Sequence, residues 1–192
     1  IKQQIINLGR IKNRISIINS PIKLEKFIKK TKLQLRLKYV LDLKTKIILY
    51  YGNRVLSKGT DILIEAVNYL PKNKKFIVLM FFPTEINSKD IKRIKEIQNS
   101  NKIKLFAKKI NVVDYLSMVD MLVLPYRNLK STEANPLCLL EAMAYKTPVV
   151  TTSIPEIKEL VTDRKDVLMA NPEDPKSLAE KINHNTRLCK CN

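Results

Sequence analysis

The 192-residue chain is 45% apolar and 28% charged, with a formal net charge of +18, three cysteines, one histidine and no tryptophan. This balance excludes a disordered or low-complexity chain and allows one domain with a sizeable core, or one domain plus a remnant of another. The charge points to anionic partners, but the lysines are scattered and not interleaved with aromatic residues as a single-strand platform requires. A nucleic-acid partner is therefore not expected. A solvated lysine-rich surface, with peripheral contact to anionic membrane as the remaining attraction, accounts for the charge.

In chain order, residues 1–10 have a helical pattern and Ile15 to Ile18 a strand pattern, and Pro21 opens a lysine-rich stretch running to about Tyr39. From there, nearly continuous apolar runs predict strands at Lys46 to Tyr51, Phe76 to Phe81, Ile103 to Phe106, Met121 to Leu124 and Val149 to Thr151, with a weaker one at Val167 to Met169. Continuous rather than alternating apolar runs mark strands buried on both faces of a parallel sheet. Helical segments are predicted between them, near 60–70, 88–99, 111–118, 136–145, 155–162 and 175–184. The expected fold class is therefore α/β: a Rossmann-like open parallel sheet with helices on both faces. The expected organisation is a remnant of a preceding domain at 1–20, a connector at 21–45, a ligand-binding domain at 46–185 and a polar tail at 186–192. The chain opens on Ile1 rather than Met, which fits a fragment or a processed product. Cys138, Cys189 and Cys191 have no metal-ligand spacing with His184, and a reducing, cytoplasmic setting is the simplest expectation. No signal peptide is expected, and no apolar run nears the length of a membrane span.

Ligands of open α/β sheets bind beyond the carboxyl ends of the strands. Two loops there carry chemistry. The first runs Gly52-Asn53-Arg54-Val55-Leu56-Ser57-Lys58-Gly59, where Arg54 and Lys58 bring two cations to a helix start that already favours anions. A diphosphate fits this loop, and so does a surface loop with two solvated cations. It is neither a Walker A loop nor the dinucleotide fingerprint. The second runs Ser131 to Ala144, with Asn135 expected as the helix cap, Pro136 in the first turn, and free N–H groups at Leu137 and Cys138 for phosphate oxygens. Glu141 leans back toward that helix end and can accept a ribose cis-diol, while Glu133 can reach a sugar beyond the diphosphate. On spacing alone, Glu141 serves equally as a solvent-facing helix residue and Glu133 as a partner of the helix dipole.

Four stretches in order, YYGNRVLSKGTDILIEAV, VDYLSMVDMLVLPY, EANPLCLLEAMAYKTPVVTT and PEDPKSLAEKI, resemble the C-terminal donor-binding domain of the family-4 retaining glycosyltransferases, glycosyl transferases group 1, of GT-B fold. The resemblance implies retaining transfer of a sugar from a nucleotide diphosphate sugar to an acceptor. In it Lys58, assisted by Arg54 within the Gly52–Asn53 turn, neutralises the diphosphate. Glu133 stands as the catalytic-side residue by the anomeric carbon, Glu141 on the ribose, and the amides of Leu137 and Cys138 behind Asn135 on the distal phosphate. It also implies no metal and no cofactor, and a missing N-terminal acceptor-binding domain without which the chain is incomplete and inactive. The sequence departs from the family pattern in several ways, among them Ser153-Ile154-Pro155-Glu156 in place of a glycine-rich turn before Ile157. Asn53 follows the glycine where an arginine is usual, so Arg54 is displaced by one. Phe81-Phe82-Pro83 stand where glycines are common. Asp163-Arg164-Lys165-Asp166-Val167 lacks the usual glycines. A truncated domain that serves as an interaction module without catalysis is the alternative.

Overall fold

The computed structural model describes residues 30–84, 86, 88–97, 99–129 and 136–188. The expected remnant at 1–20, with its strand at 15–18, lies outside them, as do Cys189 and Cys191. Six parallel strands form one sheet: β1 (Lys46–Tyr51), β2 (Phe76–Phe82), β3 (Ile103–Ala107), β4 (Met121–Leu124), β5 (Val149–Thr152) and β6 (Leu168–Ala170). Their spatial order is β3-β2-β1-β4-β5-β6. The helices are α1 (Lys32–Lys38), α2 (Thr60–Asn68), α3 (Ser88–Lys95), α4 (Val112–Met118), α5 (Leu137–Ala144), α6 (Pro155–Lys158) and α7 (Pro175–Leu188).

The apolar runs are continuous because both faces of the sheet are covered. On β1, Ile47, Leu49 and Tyr51 join one core with α1, α4, α5 and α6, while Ile48 and Tyr50 join the other with α2 and α7. Successive strand residues point to opposite faces, so a strand covered on both sides must be apolar at every position. Each fully buried Leu, Ile or Val contributes roughly 1.5–3 kcal/mol relative to leaving it in water. Only β3, at the edge, mixes buried Ile103 with exposed Lys104.

Some elements end earlier than the periodicity suggests. The helix expected over 88–99 closes at Lys95, where the Glu96 and Ile97 amides bond to carbonyls three residues back, Arg93 and Ile94. That tighter turn ends the α-helical ladder. The helix expected over 155–162 likewise stops at Lys158.

Below the amino ends of the strands, α1 is fastened by a buried ionic network. Arg36 is 4% exposed. It donates to Asp120 Oδ2 at 2.6 Å and to the carbonyls of Met118, Leu43 and Thr45. Asp120 also accepts from Lys32 Nζ at 2.8 Å and from the Ile47 amide at 2.7 Å. Burial works to raise the Asp120 pKa, but the hydrogen bonds from Lys32 and Ile47 and the charges of Lys32 and Arg36 outweigh it and hold the carboxyl below its ordinary range.

Candidate functional site

The strand order reverses between β1 and β4: the chain leaves β1 toward β2 through α2, and leaves β4 toward β5 through α5, on the opposite face. A crevice therefore opens above this pair, the place where open α/β sheets hold ligands. Both chemistry-bearing loops of the sequence meet there.

The β1 loop turns off the strand at Gly52 (φ 148°) and makes a single 3-10 turn, Leu56–Lys58. Gly59 then starts α2 in the left-handed region, at φ 64°. A Cβ at Gly59 would lie 1.9 Å from the carbonyl oxygen of Pro125, the residue that follows β4. Only a glycine lets the two loops nest backbone against backbone.

Arg127 locks this arrangement. Its guanidinium grips Asp61 at the start of α2 with a two-pronged contact, 2.8 and 2.7 Å, and donates to the Leu56 carbonyl at 2.9 Å. Its amide donates to the Ser57 carbonyl at 2.8 Å, and its Nε to Glu173 at 3.1 Å. Such fork-to-carboxylate pairs fix geometry as well as charge. Arg127 was not singled out in the sequence, because its partners lie far away along the chain.

Lys58 is held at the crevice. Its ammonium sits 4.6 Å from the centre of the Tyr126 ring, and no hydrogen bond or ion pair among the described residues engages it. Burial lowers its pKa, against an opposing pull from the Cys138 thiol group. A partly desolvated cation without a carboxylate partner gains when an anion arrives. Beside it, the Ser57 and Tyr126 hydroxyls are buried with no hydrogen-bond partner among the described residues. Unpartnered buried hydroxyls are uncommon in folded proteins and tend to mark a functional region.

The β4 side supplies the helix end. Helix α5 begins one residue later than the sequence suggests: Pro136 is the cap and Leu137 the first helical residue, so the expected Asn135 cap and first-turn Pro136 are corrected. The reason is conformational, since Pro136 has an extended ψ of 105° and its carbonyl accepts from the Leu139 amide at 2.9 Å. Proline at the cap costs the helix none of its first amides. Those of Leu137 and Cys138 stay without acceptors in the helix itself.

Glu141 stands over the end of β1, where its Oε2 accepts from the Tyr51 phenol at 2.7 Å. Burial first, then the neighbouring Cys138 and the hydrogen bond to the Glu141 carboxylate, push the Tyr51 pKa far up and keep it a neutral donor. An ionised carboxylate offers about four acceptor sites, so most remain for other hydroxyls. The Cys138 thiol reaches the Tyr51 carbonyl at 3.8 Å. Burial, and then Glu141, raise its pKa, so it contributes an amide rather than a thiolate.

Lys58, Leu137, Cys138 and Glu141 thus converge. Gly52 and Asn53 form the turn below them, Asn53 being exposed. Arg54 lines a cleft with α2 and α3. Glu133 and Asn135 lie outside the described residues. No cluster of three or more His, Cys, Asp or Glu side chains suited to a metal occurs among the described residues. No helix among them is long and apolar enough to cross a membrane.

An all-parallel, doubly wound sheet with this switch point is the Rossmann-like architecture of one half of a GT-B fold. The solved structure of Anabaena HepE in complex with UDP-glucose superposes with a TM-score of 0.80 at 17% identity, covering 98% of this chain and 52% of that one. TarM of S. aureus, in a complex that includes UDP, gives 0.76 at 20% identity, covering 97% and 35%. The chain belongs to the family described as glycosyl transferases group 1, which it matches over residues 31–186. An uncharacterised glycosyltransferase of Methanocaldococcus jannaschii is 30% identical over 139 residues, 70% of this chain and 36% of that protein. A D-inositol 3-phosphate glycosyltransferase of Xylanimonas cellulosilytica is 24% identical over 150 residues, 76% and 35% respectively. The chain spans about a third of the length of the curated relatives it matches.

Proposed function

We propose that this chain is the donor-binding half of a glycosyltransferase that moves a sugar from a nucleotide diphosphate sugar to an acceptor with retention. The observation that carries this is the convergence of Lys58, the open amides of Leu137 and Cys138, and Glu141 at the β1–β4 switch point. In this reading the diphosphate lies between the Lys58 ammonium and the start of α5, and the ribose hydroxyls bind Glu141. Glu133, which precedes α5 in the sequence, is assigned to the donor sugar beside its anomeric carbon. As the glycosidic bond to the distal phosphate breaks, negative charge grows on the leaving diphosphate. A preorganised, partly desolvated cation and two aimed N–H groups stabilise that charge more than they stabilise the ground state. The charge is met in this way by protein groups, and transfer is proposed to need no metal. Residues 46–185 are assigned to donor binding, with 21–45 as a connector, and an N-terminal domain would supply the acceptor pocket. Solved relatives carrying UDP-glucose and UDP support UDP-sugars as the first donors to try.

Calorimetric titration of the chain with UDP-glucose and other nucleotide diphosphate sugars tests the reading. Saturable binding that is lost in Lys58→Met and weakened in Glu141→Gln is expected. A folded chain that binds none of them overturns it and leaves the interaction-module alternative standing.

A further inference from the structure

Glu141 has a single partner. Its Oε2 accepts from the Tyr51 phenol at 2.7 Å, and among the described residues no other hydrogen bond or ion pair engages the carboxylate. Asp120, at the opposite ends of the strands, accepts from Lys32, Arg36 and the Ile47 amide. A half-buried carboxylate with one neutral donor is underfilled by comparison, and most of its acceptor sites are left for an incoming molecule.

The donor of this hydrogen bond is rigid where the acceptor is not. Tyr51 is the last residue of β1, 9% exposed and in register with Phe81 of β2. Its ring shares one core with Leu139 and Ala142 of α5, and the Cys138 thiol reaches its carbonyl at 3.8 Å. Glu141 enters the crevice through three torsions, and the last, at the carboxylate, is broad and weakly restrained. A phenol fixed by the sheet restrains it. Because a carboxylate only accepts, the phenol proton lies between the two oxygens and the direction of the hydrogen bond is set as well. Burial above all raises the Tyr51 pKa, which keeps that proton on the phenol. A packing role needs only the ring. Phenylalanine would fill the same place without burying a hydroxyl, so the hydroxyl is explained by what it holds.

On the donor-site reading above, we propose that Tyr51 is a positioning residue whose phenol orients the Glu141 carboxylate to accept two adjacent hydroxyls. It thereby sets selection for ribonucleoside over deoxyribonucleoside diphosphates. Two hydroxyls on neighbouring carbons donate together only to a carboxylate turned to face both. One left free to rotate meets a single hydroxyl as readily, and the 2′ hydroxyl then adds little.

The test is calorimetric titration of the 192-residue chain with UDP, ADP and GDP, each beside its 2′-deoxy counterpart, and with pyrophosphate. For the base that binds best, the parent chain should prefer the ribonucleotide at least about tenfold, the range of one hydrogen bond to a charged acceptor. Tyr51→Phe should bring that preference to within about threefold while leaving pyrophosphate affinity within about twofold. The double variant Tyr51→Phe with Glu141→Gln should discriminate no worse than Glu141→Gln alone, since Tyr51 acts through Glu141. Undiminished preference in Tyr51→Phe, equal loss of pyrophosphate and nucleotide affinity, or a further loss in the double variant overturns the role of Tyr51 and leaves the donor site standing. A parent chain that binds neither nucleotides nor pyrophosphate, or that binds both sugar forms alike, overturns the ribose assignment of Glu141 and this proposal with it.

Discussion

At the amino ends of the strands, Asp120 receives hydrogen bonds from Arg36, Lys32 and the Ile47 amide, and Arg36 sends its remaining donors to three carbonyls. At the carboxyl ends, among the described residues, Lys58 has a ring beneath it and no carboxylate, and the hydroxyls of Ser57 and Tyr126 have no partner. Both regions are partly or wholly buried, and both centre on charge. The first is closed on itself and holds the fold. The second leaves polar groups unmatched, which costs stability unless a ligand completes them. A charge that is fully paired within the protein thus marks structure, and one left waiting marks a site.

The comparison can be broken most severely at Asp120. Asp120→Ala leaves the buried Arg36 guanidinium without its counter-charge and should cost about 3–5 kcal/mol in urea unfolding. The same carboxylate sets an acid limit. Its pKa is lower in the folded chain than in the unfolded one, so its contribution is complete above the ordinary carboxylate range and is lost as pH falls through the depressed value. Unfolding midpoints measured down the acid range should fall less steeply in Asp120→Asn than in the parent chain.

Next in size is Gly59→Ala. The added Cβ meets the Pro125 carbonyl and a left-handed backbone, so a loss of roughly 2–3 kcal/mol in stability is expected, together with weaker donor binding. Unchanged stability would mean that the two loops are not nested as described.

Lys58→Met should do the converse of Asp120→Ala. Donor affinity should drop about ten- to a hundredfold, the range of a charge-assisted contact, with little change in the thermal midpoint. Because burial depresses the Lys58 pKa, donor affinity should also decline as pH rises through that lowered value, before an ordinary lysine would lose its proton. Calorimetry across the alkaline range checks the sign.

The smallest expected effect is a gain. Helix α1 ends with the Leu41 amide reaching back to the Arg36 carbonyl and Val40 at φ 55°, a position that prefers glycine, and Val40 is 91% exposed. Val40→Gly should add about 1 kcal/mol without touching either charged region. Lys146, after α5, sits in the same geometry at φ 55°.

The sheet was readable in the sequence because a strand covered on both faces has no freedom to be polar, and β1 and β4 match the expected runs to the residue. The candidate site was readable only as far as residue types go. Nothing in GNRVLSKG tells which way Arg54 and Lys58 point, since that is settled by a 3-10 turn and by the fit of Gly59 under Pro125. Tyr51 read as one more apolar strand residue, and its phenol became visible as a partner of Glu141 once β1 and α5 were placed together. In the stretch 163–167, where the family pattern has glycines, Arg164 adopts φ 62°, so a side chain stands in the left-handed region.

The reversal of strand order between β1 and β4 also bears on how the protein comes into being. Residues 52–120, with three α-helices and two strands, are threaded between β1 and β4, which returns to pair with it. Pairings so distant along the chain are slow to close, because loop entropy is lost before contact energy is gained. Lys58 and Glu141 cannot meet until that closure is made. Ligand capture should therefore be among the last signals to appear during refolding, and a donor analogue would act as a latch on the finished sheet.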